Sequence, residues 1–103
     1  MNAGEERGLR LLPWTGPEGK PCYLSTDNDN SRLSRLADDV EEAQLESGER
    51  VLAGARAVLA DPRAGEWAVR FALGRAVECL GDALRVAASR GARIPIPAVT
   101  DDR

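Results

Sequence analysis

Apolar residues recur at steps of three and four through two long stretches of this chain, and at steps of two through a short one near its start. Between 31 and 60, Leu33, Leu36, Ala37, Val40, Ala43, Val51, Ala55 and Val58 share one stripe of a helical wheel with Gln44 and Ser47, the pattern of an amphipathic helix. Leu45, Leu52 and Leu59, seven apart, form a shoulder about 100° around from that stripe. Asp39, Glu42, Glu46 and Glu49 fall on the far side, which predicts a wet face. A second helix is predicted over 64–90, with Val69, Leu73, Ala76, Leu80, Ala83, Leu84 and Ala87 as its core stripe and Gly91 as the residue that ends it. Asp61-Pro62 separates the two, because proline disfavours helical geometry in the residue before it. Gly48 and Gly54 predict a bend or a close contact in the first helix.

The two-residue alternation lies in 9–26 and predicts a β-hairpin closed by Gly16-Pro17-Glu18-Gly19, a type I turn followed by a left-handed glycine. Pairing Gly16 with Lys20 sets Trp14 opposite Cys22 and Leu12 opposite Leu24, giving one apolar face able to dock on the helices. The same register places Pro13 and Pro21 where no ladder bond is lost, each blocking an outer edge. The predicted fold is mainly α: an N-terminal two-stranded β-hairpin packed on a long antiparallel two-helix hairpin. Residues 9–91 make one domain, 1–8 a mobile lead-in, and 92–103 an extended tail set by the alternating prolines Pro95 and Pro97.

Trp67 and Phe71 break the pattern. One turn apart, they fall on the side of the second helix opposite its core stripe, where they would form an exposed apolar patch of the kind monomers avoid. Either the β-hairpin or another chain must cover them. Gly74, Gly81 and Ala88, seven apart near the same side, offer a shallow track. With 103 residues and only four aromatic side chains, the interior is narrow and aliphatic. Two helices alone enclose little, so a dimer completing a four-helix bundle is expected, with Leu45, Leu52, Leu59, Trp67, Phe71 and Gly74 at the interface. Leu12, Trp14, Cys22 and Leu24 are assigned to hairpin packing.

Net charge is −3, and its distribution is uneven. From Asp27 to Glu49 eight acids and two arginines give −6; from Arg50 to Arg93 eight arginines and four acids give +4. An antiparallel hairpin sets the acidic start beside the basic end, so intramolecular pairing is the expectation. The chain has no histidine, which removes the usual nucleophilic triads, and its carboxylates lie on an exposed face. Gly16-Pro17-Glu18-Gly19 lacks the Lys-Ser/Thr of a phosphate loop. Asp27-Asn28-Asp29-Asn30-Ser31 resembles the start of a calcium loop, but Arg32 stands where glycine is needed and Asp38 where the bidentate glutamate belongs; Asn30 or Ser31 reads better as a helix cap. No enzyme activity, metal or cofactor is expected. The start has no export signal and no span of about 18 apolar residues occurs, so a cytoplasmic location is expected, with Cys22 and Cys79 as reduced thiols.

Leu11-Leu12-Pro13-Trp14-Thr15-Gly16-Pro17-Glu18-Gly19-Lys20-Pro21-Cys22-Tyr23-Leu24, Ser34-Arg35-Leu36-Ala37-Asp38 and Arg85-Val86-Ala87-Ala88-Ser89-Arg90-Gly91 resemble short actinobacterial proteins over roughly Leu9 to Pro97. Thirteen arginines against one lysine fit a GC-rich genome. The resemblance implies no activity and carries no site residues. The expected function is that of a small protein–protein interaction or regulatory module acting through its helical hairpin. Two alternatives stand beside it. One is nucleic-acid association through Arg63, Arg70, Arg75, Arg85, Arg90 and Arg93, whose wheel positions scatter. The other is a small-molecule or nucleotide sensor, its ligand held between ribbon and helices.

Overall fold

The computed structural model describes residues 8–25 and 31–93. Residues 1–7, 26–30 and 94–103 lie outside the described residues, and with them the calcium-like run up to Asn30, the cap proposed at Asn30 and most of the tail; so do the side chains of Ser31, Ala92 and Arg93. Strand β1 (Leu9–Thr15) pairs antiparallel with β2 (Pro21–Ser25), and two long helices follow, α1 (Ser31–Ala60) and α2 (Glu66–Arg93). The protein is mainly helical, with the ribbon packed on the helices.

The break between the helices is built from local polar bonds. Asp61 N–H donates to the Val58 carbonyl at 3.1 Å, closing α1, and Asp61 Oδ1 accepts from Arg63 N–H at 2.9 Å. An aspartate side chain bonded two residues ahead makes the turn that Pro62 then stiffens. Gly65 opens α2, its carbonyl accepting from Val69 N–H at 3.1 Å. The far end differs from the sequence expectation, because α2 runs through Gly91 to Arg93. Glycine weakens a helix by about 1 kcal/mol without stopping it.

Buried and half-buried positions mark the seam between the helices. On α1 they include Ala37, Glu41, Gln44, Gly48, Val51, Ala55 and Val58; on α2, Ala68, Ala72, Arg75, Cys79, Asp82, Val86 and Ser89. Both runs alternate steps of four and three, the repeat that keeps two helices in register over several turns. The side chains are mostly small or polar, so the seam contributes little apolar burial. The stripe expected to fill it on α2 is turned away: Val69 is 44% exposed, Leu73 62%, Leu80 60% and Leu84 62%. On α1, Leu36 is likewise 51% exposed. A Cβ added at Gly48 or Gly54 would meet nothing within 4 Å, so neither glycine serves a close approach within the chain, and α1 is unbroken across both.

The dry part of the protein lies where the ribbon meets the open end of the helical hairpin. Leu12, Leu24 and Ala37 form one cluster, with Trp14 and Cys22 packed against it. The turn keeps the expected Gly16–Lys20 bond, Gly16 N–H to the Lys20 carbonyl at 2.7 Å. Beyond it the register departs from expectation. Leu24 faces Arg10 instead of Leu12, because β1 is irregular between Leu11 and Thr15. Proline 13 has no N–H to give the ladder, and the extra residues around it bulge toward the helices. Pro13 is therefore fully buried and blocks no outer edge, while Pro21 is exposed. Helix side chains satisfy the freed strand edge: Ser89 Oγ donates to the Leu11 carbonyl at 2.9 Å and Gln44 Nε2 to that of Pro13 at 3.0 Å.

Arg10 shares the strand face of Leu12 and lies inside as well, 5% exposed. Its Nη1 donates to the Ser34 carbonyl at 3.1 Å and to Ser34 Oγ at 2.7 Å, and its Nη2 to Asp38 Oδ1 at 2.7 Å. Arg10 Nη2 also lies 3.4 Å from Glu41 Oε2, and Arg90 Nη2 lies 3.6 Å from Glu41 Oε1. Glu41 is 1% exposed, so one buried carboxylate links strand β1 to the end of α2.

Two substitutions test this packing. Arg10→Ala leaves Glu41 in a dry site without the guanidinium, which should lower stability by about 3 kcal/mol at a fixed protein concentration in a urea titration. The turn gives an effect of opposite sign: Glu18 sits at φ 60°, ψ 23°, the left-handed region where type II turns place glycine or asparagine, not at the type I angles expected. Glu18→Asn should raise the urea midpoint, by roughly 0.5–1 kcal/mol in free energy.

Candidate docking surfaces

Trp67 and Phe71 stand in the first turns of α2, at the end of the helical hairpin away from the ribbon. Their rings stack with centroids 5.6 Å apart and planes 9° from parallel. Trp67 is 78% exposed and Phe71 59%, so the ribbon does not cover them. The stacked pair lines a groove of about 340 Å³ together with Val51, Gly54, Ala55, Val58, Ala68 and Ala72. Arg50 and Arg75 complete the lining, Arg75 paired with Glu78.

A second groove, about 570 Å³, opens on another side of the same helical pair. It is lined by Leu45 and Leu52 from the α1 shoulder and by Cys79, Leu80 and Ala83 from α2. The sequence-derived interface residues thus divide. Trp67 and Phe71 belong to the first groove, Leu45 and Leu52 to the second, and Leu59, 84% exposed near the end of α1, lines neither. Gly74 is exposed with nothing within 4 Å of an added Cβ.

Comparison with protein-family models, with curated proteins and with solved structures gives no match. The reading of these surfaces therefore rests on their own chemistry. No helix is long and apolar enough to cross a membrane, among the described residues. Among those residues no group of three or more Cys, Asp or Glu converges as metal ligands would. Cys22 and Cys79 are free thiols, both half-buried, one beneath the ribbon and one in the second groove. The ribbon–helix junction, where a ligand was one expectation, is filled by Leu12, Trp14, Leu24 and the Arg10 cluster. Several arginines of the basic half are tied to acids: Arg75 to Glu78, Arg85 to Asp82 at 3.3 Å and Arg90 to Glu41.

Sequence patterning missed three features. Val77, 62% exposed, joins Leu73, Leu80 and Leu84 in the outward stripe; its neighbours in the pattern had been given to the core. Arg10 and Glu41 drew no reading of their own from the sequence, and it is the docking of β1 on the helices that brings them together. The one available signal was that Arg10 interrupts an otherwise apolar strand, Leu9 to Trp14.

Proposed function

We propose that this chain is a small protein–protein interaction module of regulatory type, self-associating as a homodimer and meeting partner helices through the apolar faces of its helical hairpin. The observation that carries the reading is the Trp67–Phe71 pair, stacked, exposed and set beside an apolar groove. Large aromatic side chains with little rotamer freedom to lose are the usual anchors of protein interfaces. The groove, lined by valine, alanine and glycine beside the two rings, leaves room for the side chains of a third helix. Arg50, which lines the groove, favours a partner that carries a carboxylate beside its apolar positions. The two free, separated thiols are in keeping with work in a reducing cytoplasm.

The test is affinity capture from the native host with the full-length chain as bait, read by quantitative mass spectrometry against a Trp67→Ser/Phe71→Ser double variant. Both side chains are largely exposed, so the variant should keep the wild-type helicity. Proteins held by the wild type should fall at least tenfold with the variant, as expected when central anchors are truncated. An identical set of retained proteins with both baits contradicts the reading.

A further inference from the structure

We propose that a second copy of this chain seats on the outward stripe of α2, pairing α2 antiparallel with its counterpart and leaving the Trp67–Phe71 groove open. The inference rests on the reading above that the helical hairpin meets other helices, and it assigns the self-association to one face.

Leu73, Val77, Leu80, Leu84 and Ala87 recur at steps of four, three, four and three, the repeat by which a helix holds one face against another. The four larger side chains are each about three-fifths exposed. α2 thus carries two such repeats, one facing α1 and one facing outward, and the outward one holds the larger aliphatic side chains. Two copies of this stripe with their flanks would remove on the order of 1,000 Å² from water, the size at which specific interfaces begin.

Charge chooses the direction. Continued toward the start of α2, the outward repeat reaches Arg70 and Glu66. A parallel pair in register would press Arg70 on Arg70 and Glu66 on Glu66, which like charges oppose. The antiparallel pair that sets Leu73 opposite Leu84 and Val77 opposite Leu80 puts Arg70 opposite Ala87 and Glu66 opposite Gly91, and it also opposes the helix dipoles.

The flanks agree. In that register Gly74 falls near Gly81 of the second copy on one flank, and Ala76 near Ala83 of the second copy on the other, so the backbones can approach closely. A Cβ added at Gly74 or Gly81 would meet nothing within 4 Å, so nothing inside the chain requires glycine at either position. The groove lined by Leu45, Leu52 and Leu80 lies on the Ala76–Ala83 flank, and the groove of Trp67 and Phe71 on the opposite one.

The experiment uses full-length protein carrying Cys22→Ser and Cys79→Ala, studied by sedimentation velocity and by disulfide trapping. The parent should sediment as a dimer, and Leu80→Glu should halve its mass with helicity retained, since the Leu80 side chain is mostly exposed within one chain. Leu59→Glu, equally disruptive in chemistry but off the stripe, should leave the dimer intact. Chains with Leu73→Cys mixed with chains carrying Leu84→Cys should trap as mixed disulfides, and Leu73→Cys alone should trap at least tenfold less. A parent that stays single, a Leu80→Glu dimer of unchanged mass, or strong trapping of Leu73→Cys with itself overturns the inference. If Leu80→Glu fails to fold, the trapping pattern decides alone. A chain that is single yet captures partners through Trp67 and Phe71 sinks this inference together with the self-association, and spares the docking of partners proposed for the Trp67–Phe71 groove; one that pairs through Leu80 and captures nothing does the reverse.

Discussion

Arg10 carries a positive charge into the dry junction of ribbon and helices, and the rest of the structure depends on how that charge is met. Its guanidinium is held by Ser34 and Asp38 on α1 and lies against Glu41, which in turn lies against Arg90 on α2. A buried charge without partners costs several kcal/mol, so the faces of α1 and α2 bearing these groups must turn toward the ribbon. Ser89 and Gln44, bonded to the carbonyls of Leu11 and Pro13, point the same way. These directional polar contacts fix the rotation of both helices about their axes. Apolar burial does not, because it has no direction of its own.

That rotation explains the surface. Once Glu41, Gln44 and Ser89 face inward, the repeat in line with them supplies the seam, and it holds alanine, glycine, arginine and aspartate among its members. The larger aliphatic side chains of α2 are turned outward as a consequence. The only apolar side chains that become buried by residue exposure, among the described residues, are Leu12, Leu24, Ala37 and Val86, with Pro13 beside them. Such an interior offers little to offset the conformational entropy of ordering two helices of this length. On this account the missing apolar burial comes from other chains, and the self-association and partner docking proposed for the protein are conditions of its stability as well as its role.

How far the sequence could be read follows from the same physics. Helical and strand periods, the break at Asp61-Pro62 and the docking of Leu12, Trp14, Cys22 and Leu24 on the helices are local or face-level properties, and they were legible. Which face of α2 met α1 was not, since a hydrophobic stripe shows where a helix is greasy without saying which neighbour receives it. The outward position of Leu73, Leu80 and Leu84 follows from the meeting of Arg10 with Glu41; strand alternation sets Arg10 on the face of Leu12 and Trp14, but it does not say which helix carboxylate that arginine meets. The left-handed Glu18 and the passage of α2 through Gly91 were missed for a related reason: the type I turn and the glycine stop are preferences of about 1 kcal/mol, which neighbouring geometry readily overrides.

The central claim is that this chain is folded in company, its outward α2 face buried by another copy. Urea unfolding followed by circular dichroism over a hundredfold range of protein concentration tests it most directly. For a folded dimer separating into unfolded chains, mass action makes the transition more stable by about 2.7 kcal/mol per dimer across that range, so the midpoint should climb steadily with concentration. A midpoint that stays fixed over the whole range would contradict the account.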